Sequence, residues 1–173
     1  MRKLGLIALA TLKPGENRFQ LEGEPKDFGC ELREVKENPS FEKLLGRIKV
    51  EVTVTRSGLR FFVRGRTHFK ALLECAICWG KYEQEFEEEM IAEFTSLKRT
   101  RGGGYVRELE PDDLDRVPID ADFIDLSSMI RDAIHLAVPI APRCRDDCRG
   151  ICPECGANLN LEECQCHQKT AGR

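Results

Sequence analysis

The chain has 173 residues, a formal charge of -3 and 33% charged residues, with nine cysteines. That length can bury a core of its own, which excludes a mini-protein held together only by cross-links. The near balance of acids and bases excludes a globally cationic protein drawn to nucleic acid or anionic membrane by its overall field, so any such contact must be local.

The first residues, MRKLGLIALATLKPG, mimic a secretory signal. Cleavage after Ala10 would leave an apolar region shorter than the ~7 to 15 residues such signals use, and Lys13-Pro14 arrives well before the ~20 residues of a membrane span. We read a first β-strand and expect a soluble, cytoplasmic protein whose thiols stay reduced. Residues 13–46 are broken by Pro14, Pro25, Gly29 and Pro39, with one short helix expected at Phe41 to Leu45.

From Arg47 the pattern becomes β-like: Ile48, Val50, Val52 and Val54 alternate with polar residues, and Arg56-Ser57-Gly58 supplies a turn. The next strand carries Leu59, Phe61, Val63, Gly65, Thr67, Phe69, Ala71, Leu73 and Cys75 on one face. Arg60, Phe62, Arg64, Arg66, His68 and Lys70 line the other. After Cys75-Ala-Ile-Cys78-Trp79-Gly80 the alternation resumes, with Tyr82, Phe86, Met90, Ala92 and Phe94 opposite Glu83, Glu85, Glu87, Glu89 and Glu93. The C-x2-C therefore falls at the tip of a long hairpin. Its Arg-rich and Glu-rich rows read as cross-strand ion pairs in preference to an RNA-stacking face.

Lys98 to Gly104 combines charge with three glycines, and Glu108 to Arg116 is acidic and holds Pro111; both are linker compositions. A helix follows at 125–137, with Asp125 as N-cap, Leu126, Met129, Ile130, Ala133, Ile134 and Ala137 as its apolar stripe, and Pro139 as its stop. Residues 139–143 form an extended connector to a cysteine-rich tail.

Eight cysteines fall into close pairs: Cys75 and Cys78, Cys144 and Cys148, Cys152 and Cys155, Cys164 and Cys166. Cys30 stands outside them. Eight is two sets of four, and zinc takes four thiolates tetrahedrally. Gly156 and Gly80 are expected to turn the chain back after each C-x2-C with positive φ. Redox C-x2-C motifs act as one isolated pair opening a helix, whereas this chain has four pairs and neither C-x2-C begins an amphipathic helix. The local choice places Cys152, Cys155, Cys164 and Cys166 on one ion and Cys75, Cys78, Cys144 and Cys148 on the other, which would clip the tail to the hairpin tip. The spacing also allows Cys75 and Cys78 to join Cys152 and Cys155, and His167 to replace a cysteine. Two closed four-cysteine sites would be structural, and would take the formal charge from -3 to about -7. No nucleophile elbow, phosphate loop or dinucleotide fingerprint is present, so no enzyme activity is expected.

A β-rich body with a C-x2-C hairpin, then Ile124-Asp-Leu126, a helix running into Leu136-Ala-Val-Pro-Ile140, and the tail CRDDCRGICPECGANLN with Cys164-Gln-Cys166, resembles the DUF177 or YceD-like family, the large ribosomal RNA subunit accumulation proteins. The resemblance is most specific over residues 124–166. It includes the Asn158-Leu-Asn160 turn. Where members often carry an arginine inside the first cysteine pair, this chain has Ala76-Ile77. The resemblance implies a non-enzymatic factor promoting accumulation of 23S ribosomal RNA.

The expected fold is α+β, mainly an antiparallel β-sheet with one packed C-terminal helix and a small Cys-rich zinc module. Residues 1–138 form the β-rich domain with its packed helix, and 139–173 the zinc-binding tail docked on the 75–78 hairpin tip. The expected role is large ribosomal subunit biogenesis, with ribosomal RNA or a large-subunit ribosomal protein as partner and neither a membrane nor a small-molecule substrate. Candidate RNA contacts are Lys98, Arg99, Arg101, Arg143, Arg145 and Arg149. The competing readings are a dithiol redox protein and a zinc-bearing adaptor or transcription regulator unrelated to ribosomes.

Overall fold

The computed structural model describes residues 4–30, 39–96, 116–119, 122–164 and 166. Three long strands dominate it: β3 (Phe41–Ser57), β4 (Arg60–Glu74) and β5 (Lys81–Ser96). With β2 (Gly15–Gly23) and β6 (Arg116–Ile119) they make a five-stranded sheet in the order β2-β3-β4-β5-β6. All neighbours are antiparallel except β5 and β6. A second, two-stranded sheet joins β1 (Leu6–Ala8) to β7 (Phe123–Asp125). One helix, α1 (Ser127–Ala137), packs on β5 and β4.

Strand periodicity builds the core. Ile48, Val50, Val52 and Val54 of β3 and Phe61, Val63, Phe69, Ala71 and Leu73 of β4 are buried on one face of the sheet. Met129, Ile130, Ala133 and Ile134 of α1 lie in the same cluster, with Phe28, Ile124, Leu126 and Cys30. Fully burying one such Ile, Leu or Phe contributes about 1.5–3 kcal/mol, so this face supplies most of the driving force for the fold. Thr67 is fully buried in its midst, and its hydroxyl lies 3.0 Å from the Met90 sulfur.

Four sequence expectations are corrected. Phe41 to Leu45 is not a short helix but the start of β3, because its backbone pairs with β4 through Phe41↔Leu73 and Leu44↔Ala71. The register slips between Phe41 and Lys43 and again between Leu45 and Lys49, where Gly46 has a φ of 67°. Such bulges destroy the strict alternation that identifies a strand. Residue 125 does not open the helix but ends strand β7, which pairs with β1, so α1 begins at Ser127. The N-cap is accordingly Leu126 and not Asp125, with no side-chain cap bond; the Asp125 carboxylate, one residue earlier, accepts a 2.8 Å bond from the Ser127 amide as an Asx turn. The chain also turns back after Cys78 with Trp79 at positive φ, not Gly80.

The outer face of the β4–β5 hairpin carries the paired charges. Arg66 lies 3.2 Å from both Glu87 and Glu89, and Lys70 lies 2.7 Å from Glu83. Arg60 approaches Glu93 at 3.9 Å and His68 approaches Glu87 at 3.6 Å. Exposed pairs of this kind contribute ~0–1 kcal/mol each, so they fix register and solubility more than stability.

Candidate metal centres and the clasp between them

The turn joining β4 to β5 holds Cys75 and Cys78, both buried. After α1 the chain runs out through Val138 and returns to this tip, where the Ala76 amide donates to the Pro142 carbonyl at 2.8 Å. That bond brings in Cys144 and Cys148. The four sulfurs lie within 4.8 Å of one another, with Cys75 to Cys148 at 3.8 Å and Cys78 to Cys144 at 3.7 Å. Four thiolates ~2.3 Å from one zinc at tetrahedral corners stand about 3.8 Å apart, so this spacing fits a zinc-sized centre. It is far too long for a disulfide, whose sulfurs are about 2.0 Å apart.

Cys152, Cys155, Cys164 and Cys166 form a second group within 4.8 Å. Here Cys155 to Cys164 is 3.5 Å and Cys152 to Cys164 is 3.2 Å, slightly tighter than a loaded tetrahedron. The grouping follows the local choice and not the interleaved one, and His167 lies outside the described residues.

Backbone geometry is built for thiolates. Cys75, Cys78, Cys148 and Cys152 each accept a hydrogen bond at sulfur from the amide two residues onward, at Ile77, Gly80, Gly150 and Glu154. The Cys166 amide does the same for Cys164 at 3.3 Å. Burial pushes the Cys75 thiol up, but the amides of Cys144, Cys78 and Ile77 bring it down to about 6. The Cys155 amide, the Cys164 thiol and the Glu154 amide bring Cys152 down to about 6. In the opposite direction, burial and the sulfurs of Cys148, Cys78 and Cys75 push Cys144 up to about 12. Crowding by Cys164 and Cys155, with burial, pushes Cys166 up to about 12. Four packed thiols resist becoming four anions, and a bound dication removes that resistance.

Two asparagines tie the groups together. The Asn160 side chain donates to the Cys148 sulfur at 3.4 Å and to Asn158 Oδ1 at 3.0 Å, while its own Oδ1 accepts from the Arg149 amide at 2.8 Å. Asn158 donates to the Cys78 carbonyl at 3.4 Å. Both lie in the loop between Cys155 and Cys164, so a loop of the second group supports the sulfur and the turn of the first.

The two C-x2-C turns match residue by residue. After Cys155, Gly156 has a φ of 73° and its amide donates to the Cys152 carbonyl at 2.8 Å; after Cys78, Trp79 has a φ of 56° and its amide donates to the Cys75 carbonyl at 2.9 Å. Trp79 therefore occupies the position that glycine fills in the other turn. It is the one non-glycine residue with positive φ among the described residues, at a cost of about 1–2 kcal/mol.

Of the candidate RNA contacts, Arg143, Arg145 and Arg149 are exposed around the first group, with Arg145 3.9 Å from Asp147. Lys98, Arg99 and Arg101 lie outside the described residues. Sequence reasoning missed Trp79; the signal was C-x2-C-W beside C-x2-C-G.

The family described as "Large ribosomal RNA subunit accumulation protein YceD" matches residues 63–172, a span that contains both cysteine groups and α1. The chain belongs to this family. Among curated YceD-family relatives, a "Large ribosomal RNA subunit accumulation protein YCED homolog 1, chloroplastic" of Arabidopsis thaliana is 49% identical over 43 residues, 25% of this chain and 13% of that protein. Its namesake in Zea mays is 39% identical over 61 residues, 35% of this chain and 21% of the maize protein. An uncharacterised protein of Mycobacterium tuberculosis is 43% identical over 60 residues, 35% of this chain and 28% of its own length. The aligned stretch thus spans under a third of each of these relatives. No solved structure matches the chain. Among the described residues no helix is long and apolar enough to cross a membrane.

Proposed function

We propose that the chain is a non-enzymatic, cytoplasmic factor that promotes 23S ribosomal RNA accumulation and large-subunit biogenesis by binding ribosomal RNA or a large-subunit ribosomal protein, its fold braced by two structural zinc ions. The observation that carries this reading is the membership of the YceD family over a span that includes both four-cysteine groups. Four thiolates at tetrahedral spacing suit zinc, and four protein ligands leave no coordination position for an activated water, which favours bracing over catalysis. In this reading residues 1–138 are the body, and 139–173 are the tail that metal clips to the 75–78 tip. A redox role is disfavoured because each C-x2-C has two further sulfurs within reach.

Two measurements test it. Metal analysis of protein purified without chelator is expected to find two zinc ions per chain, and a value well under one removes the metal assignment. Depletion of the chain in its host is expected to lower 23S RNA and the large-subunit peak in sedimentation profiles; unchanged profiles would count against the ribosomal role.

A further inference from the structure

Trp79 combines two properties that rarely coincide. Its backbone is in the left-handed region, where the matching turn uses Gly156, and the residue is 65% exposed. A large aromatic residue normally offsets backbone strain by burial, and here little burial is available to do so. The strain is thus retained for something the indole does outside the fold, a pattern associated with contact residues.

The surroundings indicate the ligand. Cys78 and Gly80, on either side of Trp79, line a cleft of about 350 Å³ together with Lys81, Arg145, Asn158 and Leu161. Lys81 is 3.0 Å from Glu42 and Arg145 is 3.9 Å from Asp147; both cations are substantially exposed, and exposed pairs of this kind contribute only ~0–1 kcal/mol, so a phosphate could recruit them. Arg143 and Arg149 are exposed on the same tail segment. Trp79 does not itself line the cleft but stands between two residues that do, and an exposed aromatic ring next to exposed cations is an arrangement that can take an unpaired base on the ring and its phosphate on the cations. Both the tip and the tail must be clasped for the two halves to meet.

We propose that Trp79 is a stacking platform for an unpaired base of single-stranded RNA, with Arg145 and Lys81 holding the adjoining phosphate. This rests on the ribosomal reading above and chooses RNA over protein as the direct ligand of this surface. A basic ribosomal protein fits less well, because the two basic side chains that line the cleft, Lys81 and Arg145, would repel it; Cys78 and Cys144, which also line the cleft, are engaged in the first four-cysteine group.

Trp79 is the single tryptophan of the chain, so intrinsic fluorescence reports on it directly. Zinc-loaded full-length protein would be titrated with a mixed-sequence single-stranded RNA of about 12 nucleotides, with the same RNA as duplex for comparison. Quenching by the single strand alone is expected. Trp79→Gly is expected to weaken binding, read by anisotropy of labelled RNA, by at least about fivefold, and Trp79→Phe to keep most of it. Because glycine relieves the strain, Trp79→Gly should also retain its zinc and melt no lower than the parent protein. Equal RNA affinity in Trp79→Gly, quenching by duplex alone, or a fluorescence response confined to purified large-subunit ribosomal proteins would overturn the proposal. None of those results touches the depletion experiment, so the ribosomal reading stands or falls separately.

Discussion

At the scale of single residues, polar side chains of the tail pack against the grouped sulfurs. Asn160 spends its amide donors on the Cys148 sulfur and on Asn158, and its oxygen on the Arg149 amide. Removing it leaves that sulfur one donor short while the four ligands stay in place. Loss of such an outer partner typically weakens metal binding about 10- to 100-fold. If the two groups hold zinc as proposed, Asn160→Ala is expected to release one of two ions to a competing chelator at a correspondingly lower concentration, with strand content unchanged by circular dichroism. Retention equal to the parent protein would show the contact to be incidental.

At the scale of elements, the β3–β4–β5 meander has one point where a side chain cannot be added. A Cβ on Gly65 would lie 2.5 Å from the Glu51 carbonyl oxygen, a backbone atom of the neighbouring strand, and 3.2 Å from the Met90 methyl. Gly65→Ala must push β3 away from β4, and overpacking of this kind costs about 1–3 kcal/mol. The midpoint of urea unfolding should fall with the slope preserved; an unchanged midpoint would mean the sheet gives way at no cost. The same elements mark what could be read in advance. β4 and β5 were legible because fifteen paired positions keep strict alternation. β2 was not, because only Phe19 and Leu21 are apolar among its core-facing residues, and the first five residues of β3 were not, because bulges shift the register. β7 was masked by the apolar stripe of the helix that follows it. The cysteine pairs needed no periodicity, since spacing alone carried them; Trp79 needed a comparison of the two turns, which only the φ angles make compelling.

At the scale of the whole molecule, the apolar core and the clasp are separable. The main cluster of buried residues draws on the sheet, α1 and the β1–β7 pair, and includes none of the eight grouped cysteines. The tail beyond residue 140 is held instead by the two sulfur groups, the Ala76–Pro142 bond and the asparagine contacts. If metal fills the two groups as proposed, stripping it at neutral pH should free the tail without melting the sheet: limited proteolysis would cut within 140–164, while the strand signal persists. A single cooperative collapse on chelation would instead mean that metal and core fold as one unit. Acid should act in the same direction. Cys75 and Cys152 lie well below the ordinary thiol value of about 8.5, so the stability their ionised forms contribute is present above that value and is lost as pH falls through about 6, whereas Cys144 and Cys166, pushed up to about 12 while metal is absent, act in the opposite sense until a metal takes up their thiolates. Protons also compete with metal for every thiolate, so zinc release and tail cleavage should rise together as pH is lowered past 6, before the sheet unfolds. If the tail became labile on raising the pH instead, metal thiolates would not be what holds it.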